Sequence, residues 1–135
     1  MKSTLKTGID SSVTFVVGRD QTIDFMGEAA RVYATPMLVR DIEIACRNLL
    51  LEHLDPGEDS VGTRVAIDHI GATLMGMQVT LTVRVQSLEG RAVVFEIEGR
   101  DAVEPIVRGQ HARFIVDVAK TAQRLAAKAQ KAKAT

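Results

Sequence analysis

Glu43 is the first side chain of this sequence whose position suggests chemistry. It falls within an apolar stripe of a predicted helix, between Val39 and Leu50, where charged residues rarely lie without a reason. A carboxylate that is partly withdrawn from water is suited to general acid–base catalysis. The alternative is a surface ion pair with Arg47, one helical turn further on, with the carboxylate turned towards water.

His69 is a second candidate, because it stands at the end of a predicted strand. It shares the alternating parity of Val61, Val65 and Ile67, so we expect its imidazole on the side of the sheet that faces the helix. There the ring could act as an acid or a base near neutral pH. The alternative is a hydrogen-bonded core histidine.

Thr35 precedes Pro36 at the predicted start of the helix. A threonine cap explains the pair by itself, since proline is well tolerated at the first helical position. A helix start also presents free N–H groups and the positive end of the helix dipole, which suit a carbonyl oxygen or its oxyanion. Because Pro36 has no N–H, Met37 and Leu38 would have to donate these hydrogen bonds.

The remaining reactive side chains suggest no site of their own. Cys46 has no cationic residue beside it in the helical stripe, so we do not expect it to act as a nucleophile. As the only cysteine, it excludes an intramolecular disulfide, which is typical of a reducing compartment. His53 and His111 show no metal-ligand spacing, so we expect no zinc site.

One long helix must position Thr35 and Glu43. It begins at Thr35 and ends near Leu54, where Asp55-Pro56-Gly57 is a strong stop signal. Apolar side chains cover most of its sides, which is typical of a buried helix. They form two adjacent stripes and a third group opposite: Leu38, Ile42, Ala45 and Leu49; Val39, Cys46, Leu50 and Leu54; Met37, Ile44 and Leu51.

Alternating apolar residues predict one strand before the helix and four after it. Short connections join the last four, which implies antiparallel pairing, and Gly109 is a candidate bulge in the last strand. Such a sheet can bury its apolar face only by packing around the helix. We therefore predict a single α+β domain over residues 1–135, with strands near residues 11–17, 61–68, 79–86, 93–98 and 104–117.

The C-terminal tail is basic although the formal net charge of the chain is zero. Residues 118–135 predict a short helix that frays, and they carry five basic side chains and no acidic one: Lys120, Arg124, Lys128, Lys131 and Lys133. Such a tail could meet phosphates, but a stripe of this spacing is usually solvated. With no apolar run of membrane length and no signal-peptide pattern, we expect a cytoplasmic protein that binds neither membranes nor nucleic acids.

Several short stretches of the sequence share the residues and spacing of a known family. They are Val32-Tyr33-Ala34-Thr35 through Glu43, Gly57 with Ser60-Val61-Gly62-Thr63, Ile67-Asp68-His69 with Ala72-Thr73 and Gly76, Leu88-Glu89-Gly90-Arg91, and Gly109-Gln110-His111-Ala112-Arg113. They cover roughly residues 10–120, and together they resemble the fluoroacetyl-CoA thioesterase family of hot-dog-fold enzymes.

The resemblance implies a hot-dog fold, in which the antiparallel sheet wraps around the central helix, and hydrolysis of a small acyl-CoA. Thr35, Glu43 and His69 match the family's catalytic residues, and Gly62 and Arg113 match a glycine and an arginine that contact the acyl-CoA. It also implies a homodimer that binds acyl-CoA where the subunits meet. No cofactor is expected beyond the coenzyme A of the substrate.

The roles of the three catalytic candidates stay open at this point. Glu43 would act as a base or activate the nucleophile, Thr35 would attack the thioester or orient a water, and His69 would polarise the carbonyl or protonate the thiolate. In an unbroken helix Thr35 and Glu43 lie about 12 Å apart along the axis and about 80° apart around it. Either the helix begins after Thr35, or substrate and water bridge this gap.

Two other functions compete with thioester hydrolysis. An enoyl-thioester hydratase of one hot-dog branch carries an Asp-x-Asn-Pro-x-His run, which is absent here. A non-catalytic acyl-CoA-binding or dimerisation module would keep the apolar helix and Arg113 but would not need Glu43 in an apolar stripe. The acyl group stays open, because Met26 and Ala29 stand where the fluoroacetyl-specific enzyme carries paired aromatic residues.

Overall fold

The computed structural model describes residues 1–134, so Thr135 of the predicted tail lies outside the described residues. The elements follow the predicted order of strand, long helix, four strands and short helix. They are β1 (Asp10–Val16), α1 (Thr35–Leu51), β2 (Glu58–His69), β3 (Gln78–Glu89), β4 (Ala92–Asp101), β5 (Pro105–Asp117) and α2 (Val118–Lys133). Two short 3-10 turns, Arg19–Gln21 and Glu28–Ala30, interrupt the loop before α1.

The five strands form one sheet in the order β1-β3-β4-β5-β2, and all four pairings are antiparallel. Alternation along β4 is regular: Val93, Phe95 and Ile97 are buried, whereas Glu96 and Glu98 are exposed. One face of the sheet therefore meets the core and the other meets water. β1 and β2 are the edge strands within the described chain.

α1 packs its apolar side against β1, β2 and β3. Leu38, Ile42 and Leu50 are fully buried in the core, and burial of each such side chain stabilises the fold by roughly 1.5–3 kcal/mol. Ile44 and Leu51 are exposed. The sheet therefore covers only part of the helix, and the side that carries these two apolar residues is open. Glu43 lies between these two environments and is half-buried.

β2 contains an irregularity that the sequence pattern did not predict. Gly62 pairs with Arg113 of β5 and Arg64 pairs with Ala112, so Thr63 is an extra, bulged residue. The predicted bulge at Gly109 is wrong, because Gly109 stays in register with its neighbours on both sides. Its backbone has φ = 150°, and a Cβ there would lie 2.2 Å from the Ala66 carbonyl oxygen, so close strand approach explains this glycine.

α2 lies on the surface and begins with a side-chain cap. The Asp117 carboxylate accepts a hydrogen bond from the Lys120 N–H at 2.9 Å. The helix continues to Lys133 instead of fraying early, and none of its described residues is buried; Ala, Lys and Gln are strong helix formers. Within residues 1–134, no helix is both long and apolar enough to cross a membrane.

Candidate active site

The Thr35 hydroxyl and the His69 imidazole form a hydrogen-bonded pair. Thr35 Oγ1 lies 2.8 Å from His69 Nδ1, and the contact joins the first turn of α1 to the last residue of β2. The predicted capping role of Thr35 is wrong: Ala34 is the N-cap, and no side chain caps this helix end. The hydroxyl is therefore directed to the histidine and not to the helix backbone.

The chain before Thr35 is tied to two neighbouring loops. The Tyr33 N–H donates to the Thr73 carbonyl at 2.8 Å, and the Ala34 N–H donates to the Gln21 carbonyl at 2.9 Å. These bonds fix where α1 begins and so where the Thr35 hydroxyl lies.

The N–H groups of Met37 and Leu38 are already used at this helix end. Both donate to the Ala34 carbonyl at 3.0 Å. The expectation that they face a substrate oxyanion is therefore wrong in this structure, because the carbonyl of the N-cap residue accepts both hydrogen bonds.

His69 lies on the helix-facing side of the sheet, as predicted, but the parity argument fails for Val61. Val65 pairs with the buried His111, and directly opposite residues of an antiparallel pair share one face of the sheet. Val61 pairs with the exposed Phe114 and is itself 45% exposed. The extra residue at Thr63 moves Val61 to the outer face, since a one-residue slip exchanges the faces.

The His69 ring is half-buried and incompletely hydrogen-bonded. Its Nε2 atom is buried and has no hydrogen-bond partner among residues 1–134. Burial lowers the pKa of His69 below the ordinary histidine value, and the neighbouring backbone of Gly71 offsets part of this effect. A neutral imidazole at this place can accept a proton from Thr35 and return it later.

Glu43 faces a second polar group, which surrounds Gly62. A Cβ at Gly62 would lie 3.0 Å from Glu43 Oε1, 3.2 Å from His111 Cε1 and 3.5 Å from Arg113 Nη1. The absence of a side chain at Gly62 therefore keeps space free beside the carboxylate.

The alternative ion pair between Glu43 and Arg47 does not form. Arg47 binds the Asp59 carboxylate instead, through hydrogen bonds of 2.9 and 2.7 Å. None of the described residues hydrogen-bonds the Glu43 carboxylate, so its oxygens are available to a ligand.

Arg113 lies on the buried side of the sheet and is only 5% exposed. Its Nε donates to Ser60 Oγ at 2.7 Å and its Nη2 donates to the Ser60 carbonyl at 2.8 Å. Burial lowers the pKa of Arg113, and the nearby Glu43 carboxylate opposes this shift. The contact between Arg113 and acyl-CoA that the resemblance implies stays a prediction.

His111 completes the support of Arg113, and sequence reasoning missed this role. Its Nδ1–H donates to the Arg64 carbonyl at 2.9 Å, which leaves Nε2 as the acceptor for Arg113 Nη1 at 3.2 Å. Burial lowers the pKa of His111, which favours this neutral form. The available signal was the shared parity of His111 and Arg113 along β5.

The three catalytic candidates are therefore brought together only in part within one chain. α1 runs without a break from Thr35 to Leu51, so Thr35 and Glu43 are about 12 Å apart along the helix axis. No hydrogen bond joins Glu43 to Thr35 or His69 in the part of the chain that the structure describes. Thr35 and His69 form one group, and Glu43 belongs to the other.

A cleft of about 340 Å³ opens beside the Thr35–His69 pair. Its other lining is mostly apolar and comes from the loop before α1 and the segment after β2: Ile23, Phe25, Val32, Tyr33, Ile70 and Ala72. His69 is the only basic side chain in this lining, which contains no carboxylate. The cleft therefore suits an uncharged group.

Cys46 takes no part in either group as a nucleophile. It is fully buried, and burial raises the pKa of its thiol to about 12, so little thiolate exists near neutral pH. No cluster of three or more His, Cys, Asp or Glu side chains suited to a metal ion occurs within residues 1–134.

The chain is similar to known thioesterases in both sequence and structure. A family model described as fluoroacetyl-CoA-specific thioesterase matches residues 17–119. A fluoroacetyl-CoA thioesterase from Streptantibioticus cattleyicolor is 32% identical over 127 residues, which cover 89% of this chain and 91% of that protein.

Solved structures with the same fold include one that holds ligands. A mutant of the fluoroacetyl-CoA-specific thioesterase, in complex with fluoroacetate and CoA, superposes with a TM-score of 0.80 at 31% identity, covering 87% of this chain and 99% of that chain. A hot-dog-like protein from Thermanaerovibrio acidaminovorans gives a TM-score of 0.83 at 23% identity, covering 90% and 91%. The predicted hot-dog fold is confirmed.

Proposed function

The chain belongs to the fluoroacetyl-CoA-specific thioesterase family, and on this premise we propose that it hydrolyses a small acyl-CoA with Thr35, His69 and Glu43. The products are the free acid and coenzyme A. The observation that carries the proposal is the 2.8 Å contact between Thr35 Oγ1 and His69 Nδ1 at the mouth of an apolar cleft. A hydroxyl bonded to a neutral imidazole is the usual arrangement for activating an oxygen nucleophile.

In the proposed reaction His69 Nδ1 takes a proton as an oxygen attacks the thioester carbonyl carbon. The oxygen belongs either to Thr35 or to a water that Thr35 orients, and in the second route the threonine hydroxyl relays the proton. Collapse of the tetrahedral intermediate breaks the C–S bond, and the imidazolium returns the proton to the thiolate. If Thr35 is acylated, a water then hydrolyses the ester, with Glu43 as its base.

We propose that the substrate carries a small, uncharged acyl group. The cleft beside Thr35 has an apolar lining without a carboxylate, a lysine or an arginine. A free carboxylate on the acyl group would therefore lose its hydration there without gaining a cationic partner. Met26 and Ala29 are both exposed in the preceding loop and provide no aromatic pair for fluoroacetyl selection.

We propose that the active protein is a homodimer paired through the free edge of β2. This edge bears exposed Val61 and Val65, and an open strand edge is a template for pairing. If a two-fold axis passes beside Ala66, Ile67 of one copy faces Val65 of the other. The extra residue at Thr63 then brings His69 opposite Gly62 of the second copy.

This pairing would join the two polar groups into one site. Glu43 lies beside Gly62 within its own chain, so Glu43 of the second copy would approach Thr35 and His69 across the interface. The 12 Å separation along a single helix would then be no obstacle, and each dimer would contain two equivalent sites.

We also propose that the enzyme works in the cytoplasm with a reduced Cys46. The thiol is unpaired and buried, as is usual for cysteines of reducing compartments. The substrate supplies coenzyme A, and the proposed mechanism requires no other cofactor.

Release of free thiol from a panel of short-chain acyl-CoAs tests the proposed activity. We expect turnover by the wild type and none above background by a Thr35→Ala, His69→Ala double variant that remains folded. An enoyl hydratase would instead consume enoyl-CoA without thiol release, and a binding module would bind acyl-CoA without converting it. Either of these results would overturn the proposal.

A further inference from the structure

Tyr33 lies against the His69 ring but takes no part in the proposed chemistry. Its side chain is buried to 2% exposure, and its ring meets the imidazole edge to face, with centroids 6.3 Å apart and an interplanar angle of 80°. Phe15 of β1 packs against another side of the tyrosine ring, with centroids 6.0 Å apart. The Tyr33 ring therefore contacts both the core and the imidazole of His69.

Asp41 anchors the far end of this tyrosine. The Tyr33 hydroxyl donates a hydrogen bond to the Asp41 carboxylate, and Gln21 Nε2 donates to the same oxygen at 3.1 Å. Burial raises the pKa of Tyr33, so its hydroxyl keeps the proton that it donates. Because the Tyr33 N–H is also bound to the Thr73 carbonyl, the residue is fixed at both ends.

His69 needs such a neighbour because its second nitrogen, Nε2, has no hydrogen-bond partner among residues 1–134. A catalytic base is ordinarily oriented by a third group, which holds the ring nitrogen that does not react. Here Nδ1 faces Thr35, and no described residue binds Nε2. Ring packing against Tyr33 therefore supplies a contact that can fix the imidazole plane, beside the Gly71 backbone near the ring.

We propose that Tyr33, anchored by Asp41, is a positioning residue that holds the His69 imidazole in line with the Thr35 hydroxyl. Asp41 acts through the tyrosine and touches neither the substrate nor the reacting atoms. The inference rests on the proposed function of Thr35 and His69, and it assigns the orienting task to an aromatic contact instead of a hydrogen bond.

The kinetic test compares Tyr33→Phe, Asp41→Ala and Asp41→Asn. Tyr33→Phe keeps the ring and removes the anchor, and Asp41→Ala removes the same anchor from the other side. We expect each to lower kcat roughly tenfold with KM within about twofold, because small misplacements of a catalytic group reduce the rate of the chemical step. Asp41→Asn keeps an oxygen acceptor and should recover most of the rate.

The double variant Tyr33→Phe, Asp41→Ala should be no slower than either single variant, because both changes break one link. Asp10→Ala, which removes an exposed carboxylate paired with Arg84, is the matched control and should keep full activity. Additive losses in the double variant, or losses in KM alone, would overturn the inference.

A spectroscopic readout separates positioning from stability. In protein with ¹⁵N-labelled histidine, we expect the ring signals of His69 to shift in Tyr33→Phe and Asp41→Ala while those of His53 and His111 stay fixed. A His69→Gln variant assigns the signals, and the melting temperature is measured on each sample. Lower kcat and Tm with unchanged His69 signals would reduce Tyr33 to a packing residue and overturn the inference.

The two proposals fail in different ways. If His69→Ala keeps wild-type turnover, the proposed role of His69 in the reaction fails whatever the ring signals do. If His69→Ala is inactive but Tyr33→Phe and Asp41→Ala keep both wild-type kcat and wild-type His69 signals, only the positioning role fails.

Discussion

The two polar groups along α1 differ in how completely their hydrogen bonds are satisfied. Beneath the middle of the helix, all three nitrogens of the Arg113 guanidinium have partners, and both ring nitrogens of His111 are engaged. At the start of the helix, Thr35 and His69 share one hydrogen bond, and His69 Nε2 has none among the described residues.

On the proposed function, this difference separates a region that supports the site from the region that reacts. A buried polar atom without a partner is uncommon and calls for an explanation, catalysis being one. A saturated network makes a rigid base but has little capacity left to bind a substrate. Glu43 stands between the two regions, since it borders the saturated network and keeps its own oxygens free.

Replacement of His69 should produce the largest loss of activity. We expect His69→Ala to lower kcat by roughly 10²–10⁴, because general acid–base catalysis is lost, while the protein stays folded. His53→Ala is the control, since His53 does not line the cleft and its Nδ1 lies 2.7 Å from Thr4 Oγ1. Turnover and melting temperature are measured on one preparation. Lost stability with intact turnover would show that His69 is a structural core residue and not a catalytic one.

The pH profile sharpens this test. Burial lowers the pKa of His69, and only the neutral ring can accept the Thr35 proton. In the wild type kcat/KM should therefore fall as the pH drops through that lowered pKa, below the ordinary histidine value of about 6.5. His69→Ala should lack this acidic limb.

Glu43→Gln should have the next largest effect. The substitution keeps the shape and removes the base, so we expect kcat to fall by roughly 10² with an unchanged melting temperature. Glu52→Gln, at the exposed end of the same helix, is the control and should match the wild type. Wild-type turnover in folded Glu43→Gln would remove this carboxylate from the mechanism.

Replacement of Arg113 should affect stability more than chemistry. Arg113→Leu leaves Ser60 and His111 Nε2 without their partner, and we expect a loss of about 2 kcal/mol or more in the free energy of unfolding. Activity should fall about tenfold through displacement of Glu43. Chemical denaturation measures the first effect. Arg108→Leu on the exposed face of β5 is the control, and equal stability of the two variants would contradict the supporting role.

Removal of the basic tail should have the smallest effect. We expect deletion of residues 125–135 to leave turnover within about threefold, because α2 buries none of its described residues and exposed termini contribute little to a fold. A large rise in KM for the truncated protein, with a wild-type KM that rises steeply with salt, would instead show that the tail binds CoA phosphates.

Periodicity and residue matching predicted most of the architecture. The helical stripe of Leu38, Ile42 and Leu49 is buried as expected, because a 3.6-residue repeat depends only on local geometry. The order of the elements along the chain and the helix-facing position of His69 are confirmed by the structure. The pairing of successive strands holds for β3, β4 and β5, but it is wrong for β2, which pairs with β5 and not with β3. Thr35 and His69 were chosen from pattern and resemblance, and the structure places them in contact.

The features that escaped prediction depend on contacts between distant segments. The sequence pattern near Thr63 does not predict a bulge. Without knowledge of that bulge, the face of the sheet on which Val61 lies could not be assigned correctly. Ala34, and not Thr35, is the N-cap of α1, and the Thr35 hydroxyl has a partner 34 residues away in the chain. The anchoring of Tyr33 by Asp41 likewise depends on which side chain faces which across the core.

Complementation between two inactive variants tests the central claim, that Glu43 of one copy completes the Thr35–His69 pair of another. In a dimer of one His69→Ala chain and one Glu43→Gln chain, one site has every residue intact. Mixing the two variants at equal amounts, with subunit exchange, should therefore restore about one quarter of wild-type activity, since half the dimers are mixed and one of their two sites works. The matched control mixes His69→Ala with Thr35→Ala, which share a side of the site and should restore nothing. Activity no greater than the sum of the separate variants, in mixed dimers verified by mass, would contradict the account.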